Sequence, residues 1–255
     1  MEIAVEEPSG LDRLVSIMKR LRDPSTGCEW DSVQTFATIA PYTIEEAYEV
    51  ADAIARNDMS ALADELGDLQ LQVIFHAQMA EEAGHFTLDD VIVRICDKME
   101  RRHPHIFGDA EHGGHHLWEI IKADERAASP DKSALAGVAL ALPALERATK
   151  LQRRAARTGF DWPDVSGPRA KIDEELVELE AETDHERQSE ELGDLLFAVV
   201  NLARHLNIEP EAALRAANRK FERRFRAIEA EPGFSEMDLD QMEELWVKAK
   251  AAQSA

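Results

Sequence analysis

The chain has 255 residues, 51 acidic side chains against 29 basic ones, and a formal charge of −22. That length can bury one large core or two modest ones, and that charge excludes a broad cationic surface for nucleic acid or an anionic membrane. Cys28 and Cys96 lack zinc or thioredoxin spacing, and the start Met1-Glu2-Ile3-Ala4-Val5-Glu6-Glu7 lacks the basic and then apolar segments of a secretory signal, so a reduced, cytoplasmic setting with free thiols is expected.

Apolar residues at steps of three and four, as in Leu11, Leu14, Val15, Met18 and Leu21, predict a first helix over about residues 9–21. Turn residues from Pro24 to Asp31 follow. The next helix is expected to start at Pro41-Tyr42-Thr43-Ile44, with Thr43 as N-cap and Glu46 completing a capping box. Further helices are expected near residues 61–82 and 88–102, ending at His103-Pro104. Residues 103–114 and 128–131 read as linker. The longest apolar stretch, residues 134–145, is interrupted by Pro143 and too short to span a bilayer, so it reads as a packing helix. A helix over about residues 142–156, a loop at Gly159-Phe160-Asp161-Trp162-Pro163, and then acidic and basic helices complete the order. Alternating strand patterns are scarce, so the fold class is all-α.

The order of the first half returns in the second. Glu65-Leu66-Gly67-Asp68-Leu69 matches Glu191-Leu192-Gly193-Asp194-Leu195, and Lys98-Met99-Glu100-Arg101-Arg102 matches Lys220-Phe221-Glu222-Arg223-Arg224. Two copies are too few for a solenoid, so duplication of a whole domain is the better reading.

Within each copy, Glu-Glu-x-x-Glu precedes Glu-x-x-Asp: Glu45, Glu46 and Glu49 before Glu65 and Asp68, then Glu174, Glu175 and Glu178 before Glu191 and Asp194. Helical spacing puts each set on one face, and antiparallel pairing across the Asn57-Asp58 turn would make four carboxylates converge. Acidic runs are usually solvated faces, but bases are scarce here: Arg56 alone lies between Arg22 and Arg94, and Arg187 alone between Lys171 and Arg204. The acidic helices are therefore expected to lack basic partners four residues away. Like charges in contact cost about 3 to 4 kcal/mol per pair at an effective dielectric near 20, a conflict that a hard divalent cation, Mg²⁺ or Mn²⁺, resolves. Lys98, Arg101 and Arg102, and again Lys220, Arg223 and Arg224, share a helical face that could clamp phosphates or merely complement a helix end. Their recurrence beyond each acidic pair favours the ligand role. Metal and cations together imply a polyphosphate substrate.

These residues are similar to a known pattern. The segments Thr43-Ile44-Glu45-Glu46-Ala47-Tyr48-Glu49, Glu100-Arg101-Arg102-His103-Pro104-His105 and Lys220-Phe221-Glu222-Arg223-Arg224-Phe225, with the doubled acidic signature, resemble the MazG family of nucleoside triphosphate pyrophosphohydrolases. The likeness covers nearly the whole chain. It implies a tandem repeat of two helical-bundle domains, 1–126 and 134–255, forming a homodimer and hydrolysing nucleoside triphosphates to monophosphate and pyrophosphate with Mg²⁺. It also implies that Glu175, Glu178, Glu191 and Asp194 hold metal in the second copy and Glu46, Glu49, Glu65 and Asp68 in the first. Glu174 and Glu45 would orient or deprotonate water, and Lys220, Arg223 and Arg224, with Lys98, Arg101 and Arg102, would contact phosphates. Trp246 and Lys250 are nucleotide-contact candidates, although Trp246 at its spacing from Met242 and Leu245 fits a core position equally well.

Asp97 precedes Lys98, an acid where a phosphate is expected, so the second copy ranks first as catalyst; the first is a second site or a dimerisation and regulatory domain. No pattern selecting one base is visible, so broad tolerance is expected, against the alternatives of a dUTP-selective enzyme or a non-catalytic helical interaction protein. His103, His105, His112, His115 and His116 lie in a Gly-rich segment without nearby cysteine pairs and read as solvated. Glu82-x-x-His85 and Glu182-x-x-His185 do not superpose in the repeat, which argues against a di-iron site.

Overall fold

The computed structural model describes residues 10–109, 121 and 131–252. Among them there are helices and no strands, and the chain divides into two compact units, residues 1–124 and 125–255. The fold is all-α with one helical-bundle unit in each half.

In the first unit, α1 (Gly10–Leu21) lays its apolar stripe on α3 (Met59–Glu82). Met18, Ile39, Ile74, Phe75 and Met79 form the buried core, with Leu11, Leu14 and Val15 packed against it. Full burial of such side chains contributes about 2 kcal/mol each. Between them, α2 (Phe36–Arg56) joins α3 through a tight turn in which Asn57 adopts φ +56° and the Asp58 carboxylate caps α3 by accepting from the Ala61 N–H at 3.0 Å. The unit closes with α4 (Leu88–Arg102) and a single turn, α5 (Pro104–Phe107).

One expectation about a helix end is corrected here. Thr43 is not an N-cap: α2 begins at Phe36, capped by a reciprocal Thr35–Thr38 box, and Pro41 sits inside it. The proline removes one helical hydrogen bond, yet burial of Ile39 and the first-turn bonds from Thr38 and Ile39 to the Thr35 carbonyl keep the helix intact. The Thr43 hydroxyl instead lies 3.0 Å from His76 Nε2. α4 stops at Arg102, as expected from His103-Pro104, and Pro104 then starts α5 inside the stretch expected to be linker, at a first-turn position where its missing N–H costs nothing.

The second unit holds α6 (Ala144–Ala156), α7 (Ser166–Ala181), α8 (His185–His205), α9 (Pro210–Glu229) and α10 (Leu239–Ala252). α7 and α8 form a hairpin capped by Asp184, α6 and α9 pack on α8, and α10 packs on α9. Residues 134–142 are turns rather than the expected packing helix: Gly137 has φ +72°, the Ser133 hydroxyl accepts from the Leu135 N–H, and the Ala136 carbonyl accepts from Arg154. No helix of the described residues is long and apolar enough to cross a membrane. Cys28 and Cys96 are exposed and unbonded, and His112, His115 and His116 lie outside the described residues.

Candidate active site

The α2–α3 hairpin brings three carboxylates from two helices together. Oxygens of Glu46, Glu49 and Glu65 lie within 4.8 Å of one another, and so do those of Glu175, Glu178 and Glu191 on α7 and α8. Asp68 and Asp194 stand outside these tight triads but press on them electrostatically. Desolvation first, then Asp68 and Glu49, raises the Glu46 carboxyl above its usual range; desolvation and then Glu49 and Asp68 raise Glu65. Glu191 is raised by desolvation and then by Glu178, Glu175 and Asp194. Two helices therefore hold acids against their mutual repulsion, with oxygen donors suited to a hard divalent ion.

The two clusters differ in what steadies their inner glutamate. Gln72 Nε2 donates to Glu46 at 3.3 Å, whereas Glu175, 3% exposed, receives Lys171 at 2.6 Å. Lys171 also reaches Glu174 at 2.9 Å, and Arg56 reaches Asp52 at 2.8 Å. This corrects the expectation that the acidic helices have no basic partner at helical spacing: Lys171 opens the base-poor interval, and one turn of helix carries it back to both glutamates. Glu45 is exposed, on the same helix as its cluster.

Beside the second cluster lies a cavity of about 700 Å³. Leu151, Phe160, Trp162 and Phe197 supply apolar wall, Gln152 and Asn201 supply amides, and Lys171, Glu175 and Asp194 also line it. The loop carrying Phe160 and Trp162 is tied to α8 through Asp161, which accepts from Arg204 Nη1 at 2.9 Å and lies 3.1 Å from His205 Nε2. Arg204 foremost holds the Asp161 carboxyl below its usual range. Trp162 seats against α7 because position 167 is glycine; a β-carbon there would lie 2.2 Å from Trp162 Cγ, too close for any contact. Sequence alone does not single out Lys171, the Asp161–Arg204 tie or the two amides, and it marks residues 159–163 only as a loop.

The basic candidates stand elsewhere. Lys220, Arg223, Arg224, Trp246 and Lys250 are not among the residues lining the cavity. Trp246 packs on α9, with its ring 5.3 Å from Phe221 and 5.8 Å from the Arg224 guanidinium. Lys98 lines a separate cavity of about 450 Å³ with Phe86, Val91, Arg94 and Ile95, while Arg101 is exposed and Arg102 half-buried on the same helix. His103 bonds the Met99 carbonyl at 2.7 Å.

Comparison with known proteins agrees with this geometry. A model described as MazG nucleotide pyrophosphohydrolase domain matches residues 34–107, and one described as phosphoribosyl-ATP pyrophosphohydrolase matches residues 142–221. The chain is 52% identical over 254 residues to the nucleoside triphosphate pyrophosphohydrolase of Escherichia coli (strain K12), spanning 94% of this chain and 97% of that one. It is 46% identical over 244 residues to the nucleoside triphosphate pyrophosphohydrolase/pyrophosphatase MazG of Thermotoga maritima, spanning 94% and 95%, and 33% identical over 224 residues to the nucleoside triphosphate pyrophosphohydrolase of Mycolicibacterium smegmatis, spanning 85% and 65%. With two acidic helix hairpins at the positions those matches cover, this chain belongs to the MazG family.

Proposed function

We propose that this chain hydrolyses nucleoside triphosphates to nucleoside monophosphate and pyrophosphate, in a reaction that depends on Mg²⁺ and accepts Mn²⁺. The observation that carries this reading is the convergence of three carboxylates from two helices within 4.8 Å, made twice in one chain. Glu175, Glu178, Glu191 and Asp194 would hold the cation in the second unit, and Glu46, Glu49, Glu65 and Asp68 in the first. Bound there, a divalent ion supplies charge neutralisation for the phosphates and a lowered pKa for water.

The chain's own groups do the rest. Glu174, exposed, paired with Lys171 and one residue from the buried Glu175, would orient a water and take its proton as the water oxygen bonds the α-phosphorus. The bond from that phosphorus to the bridging oxygen breaks, and pyrophosphate leaves. Glu45 holds the same station in the first unit. Lys220, Arg223 and Arg224, and their counterparts Lys98, Arg101 and Arg102, are the phosphate contacts in this reading, with Lys250 and Trp246 nearby on α10. The second unit is the principal catalyst, since the large cavity adjoins its carboxylates.

A homodimer is part of the proposal. Tyr48 and Ile54 on α2 and Leu66 and Val73 on α3 are 41 to 57% exposed, and Val177, Leu192 and Leu196 repeat this in the second unit, so each hairpin carries an apolar face suited to a second copy. Free nucleotides of the cytoplasm, with tolerance of the base, are the proposed substrates.

The test is colorimetric phosphate detection with added pyrophosphatase, on the wild type, Glu49→Ala and Glu178→Ala. Glu178→Ala should lose at least about a hundredfold in turnover, the scale expected for a group that positions the reacting centre. Unchanged turnover in both variants would overturn the site assignment.

A further inference from the structure

The two acidic clusters are braced by side chains of different character, at positions that do not correspond. Counting from Glu-Glu-x-x-Glu, Lys171 of α7 matches Tyr42 of α2; counting from Glu-Leu-Gly-Asp-Leu, Gln72 of α3 matches Ala198 of α8. At these two positions the first unit has an amide and no lysine, and the second a lysine and no amide. Tyr42 turns to Trp30, with ring centroids 6.1 Å apart, and Arg56, the one base between Arg22 and Arg94, pairs with Asp52 and Asp58. Lys171 spans Glu175 at 2.6 Å and Glu174 at 2.9 Å.

The two braces respond differently to a cation. An ammonium only donates, so Lys171 can hold Glu175 only while no other cation does. Its charge repels a divalent ion, and its contact with Glu175, 3% exposed, has to break before that oxygen can ligate a metal. Gln72 carries both halves of an amide. Its Nε2 donates to Glu46 at 3.3 Å, while its Oε1 is buried without a partner in a residue 8% exposed. A buried acceptor left unmade is costly, so this oxygen calls for an electrophilic partner. Half a turn of the terminal amide exchanges the two atoms and sets an oxygen, in place of a nitrogen, toward Glu46. The same side chain thus donates to the carboxylate before a cation binds and supplies a neutral oxygen ligand afterwards.

We propose that the two clusters take up their cations under different conditions: the first holds a divalent ion without nucleotide, with Gln72 Oε1 as an added ligand, and the second fills readily only after Lys171 has left Glu175. Lys171 also lines the cavity beside the second cluster, so the phosphates of an entering nucleotide give its charge another partner and free the carboxylate. The first ion is then a resident brace between α2 and α3, and the second arrives with substrate. This rests on the cation binding proposed above and adds the order in which the two sites load and the residues that set it.

The experiment isolates each site in the full chain by disabling the other: Glu178→Ala leaves the first cluster and Glu49→Ala the second. Isothermal titration with Mn²⁺ alone should give the first a Kd at least about tenfold lower than the second, the scale on which partners of a metal ligand set its affinity. Adding Lys171→Met to Glu49→Ala should tighten the second site about tenfold, and so should saturating the Glu49→Ala protein with α,β-methylene ATP, whose α–β bridge resists hydrolysis. Adding Gln72→Met to Glu178→Ala should weaken the first site about tenfold. Gln72→Glu, which keeps an oxygen at the same reach, should bind Mn²⁺ at least as tightly as glutamine does; it separates a ligand from a packing role and decides the matter if Gln72→Met does not fold. Equal affinities at the two sites, no tightening on Lys171→Met, or a Gln72→Glu site weaker than the glutamine one overturns the proposal. Failure of both clusters to take up Mn²⁺ even with the analogue present would instead overturn the cation reading on which it rests.

Discussion

Lys171 Nζ sits 2.6 Å from a carboxylate oxygen of Glu175, the one member of either acidic triad that the fold buries. The lysine therefore holds a positive charge on an oxygen that the proposed cation would claim. Lys171→Met should lower the melting temperature by about 4 °C in chelator, the shift expected for about 1 kcal/mol. Saturating Mg²⁺ should close most of that gap. Differential scanning calorimetry with and without Mg²⁺ checks it, and a gap of equal size in both conditions would show that lysine and cation do not share the carboxylate.

Glu191 gives a pH-dependent prediction. Its carboxyl is raised by desolvation and by Glu178, Glu175 and Asp194, so the folded state favours its protonated form. Folding is then increasingly penalised as pH climbs from the ordinary glutamate value through the raised one, and the penalty is complete above it. In chelator, Glu191→Gln should melt higher than wild type near neutral pH and equally at about pH 4, the ordinary range of the group. Saturating Mg²⁺ should raise the melting temperature of the second unit in the wild type and leave that unit of the variant nearly unmoved.

Asp161 runs the opposite way. Arg204 and then His205 hold its carboxyl low, so its contribution to stability is full above the ordinary aspartate value and disappears as pH falls through the depressed one. Asp161→Asn should cost about 2 kcal/mol at neutral pH, typical of hydrogen bonds to charged groups, and progressively less in acid. Chemical denaturation across the pH range measures the difference; a constant offset would exclude the ion pair as its source.

The true start of α2 is also testable. Thr35→Ala should destabilise the first unit by about 1 kcal/mol through loss of the N-cap. Amide exchange should quicken at Thr38, whose N–H the Thr35 hydroxyl accepts at 3.3 Å. If exchange there were unchanged, the cap would not be the group that fixes this helix end.

Much of this architecture was readable from periodicity, and the exceptions have physical causes. The bounds of α4 follow from its sequence because Thr87 and Asp90 form a reciprocal cap at its start and basic residues close its end. The start of α2 was misplaced because Thr35 pairs with a second threonine rather than with Glu or Gln, and because Pro41 looks like a boundary until the burial of Ile39 is known. The acidic residues were legible through doubled spacing alone. Gln152 and Asn201 were not, since a lone amide on an apolar stripe is indistinguishable from an ordinary satisfied one until its hydrogen bonds are counted. Lys171 carries no sequence signal for a simpler reason: it stands at the border of the base-poor stretch, and only the turn of α7 brings it onto Glu174 and Glu175.

Gly167 offers a practical handle on the second unit. Because a single added methyl group would collide with the Trp162 indole, Gly167→Ala is the smallest available change that relocates an aromatic wall without touching any carboxylate. Libraries aimed at unnatural triphosphates would gain more from varying that one backbone position together with Trp162 than from randomising the acidic helices, which carry the proposed cation ligands.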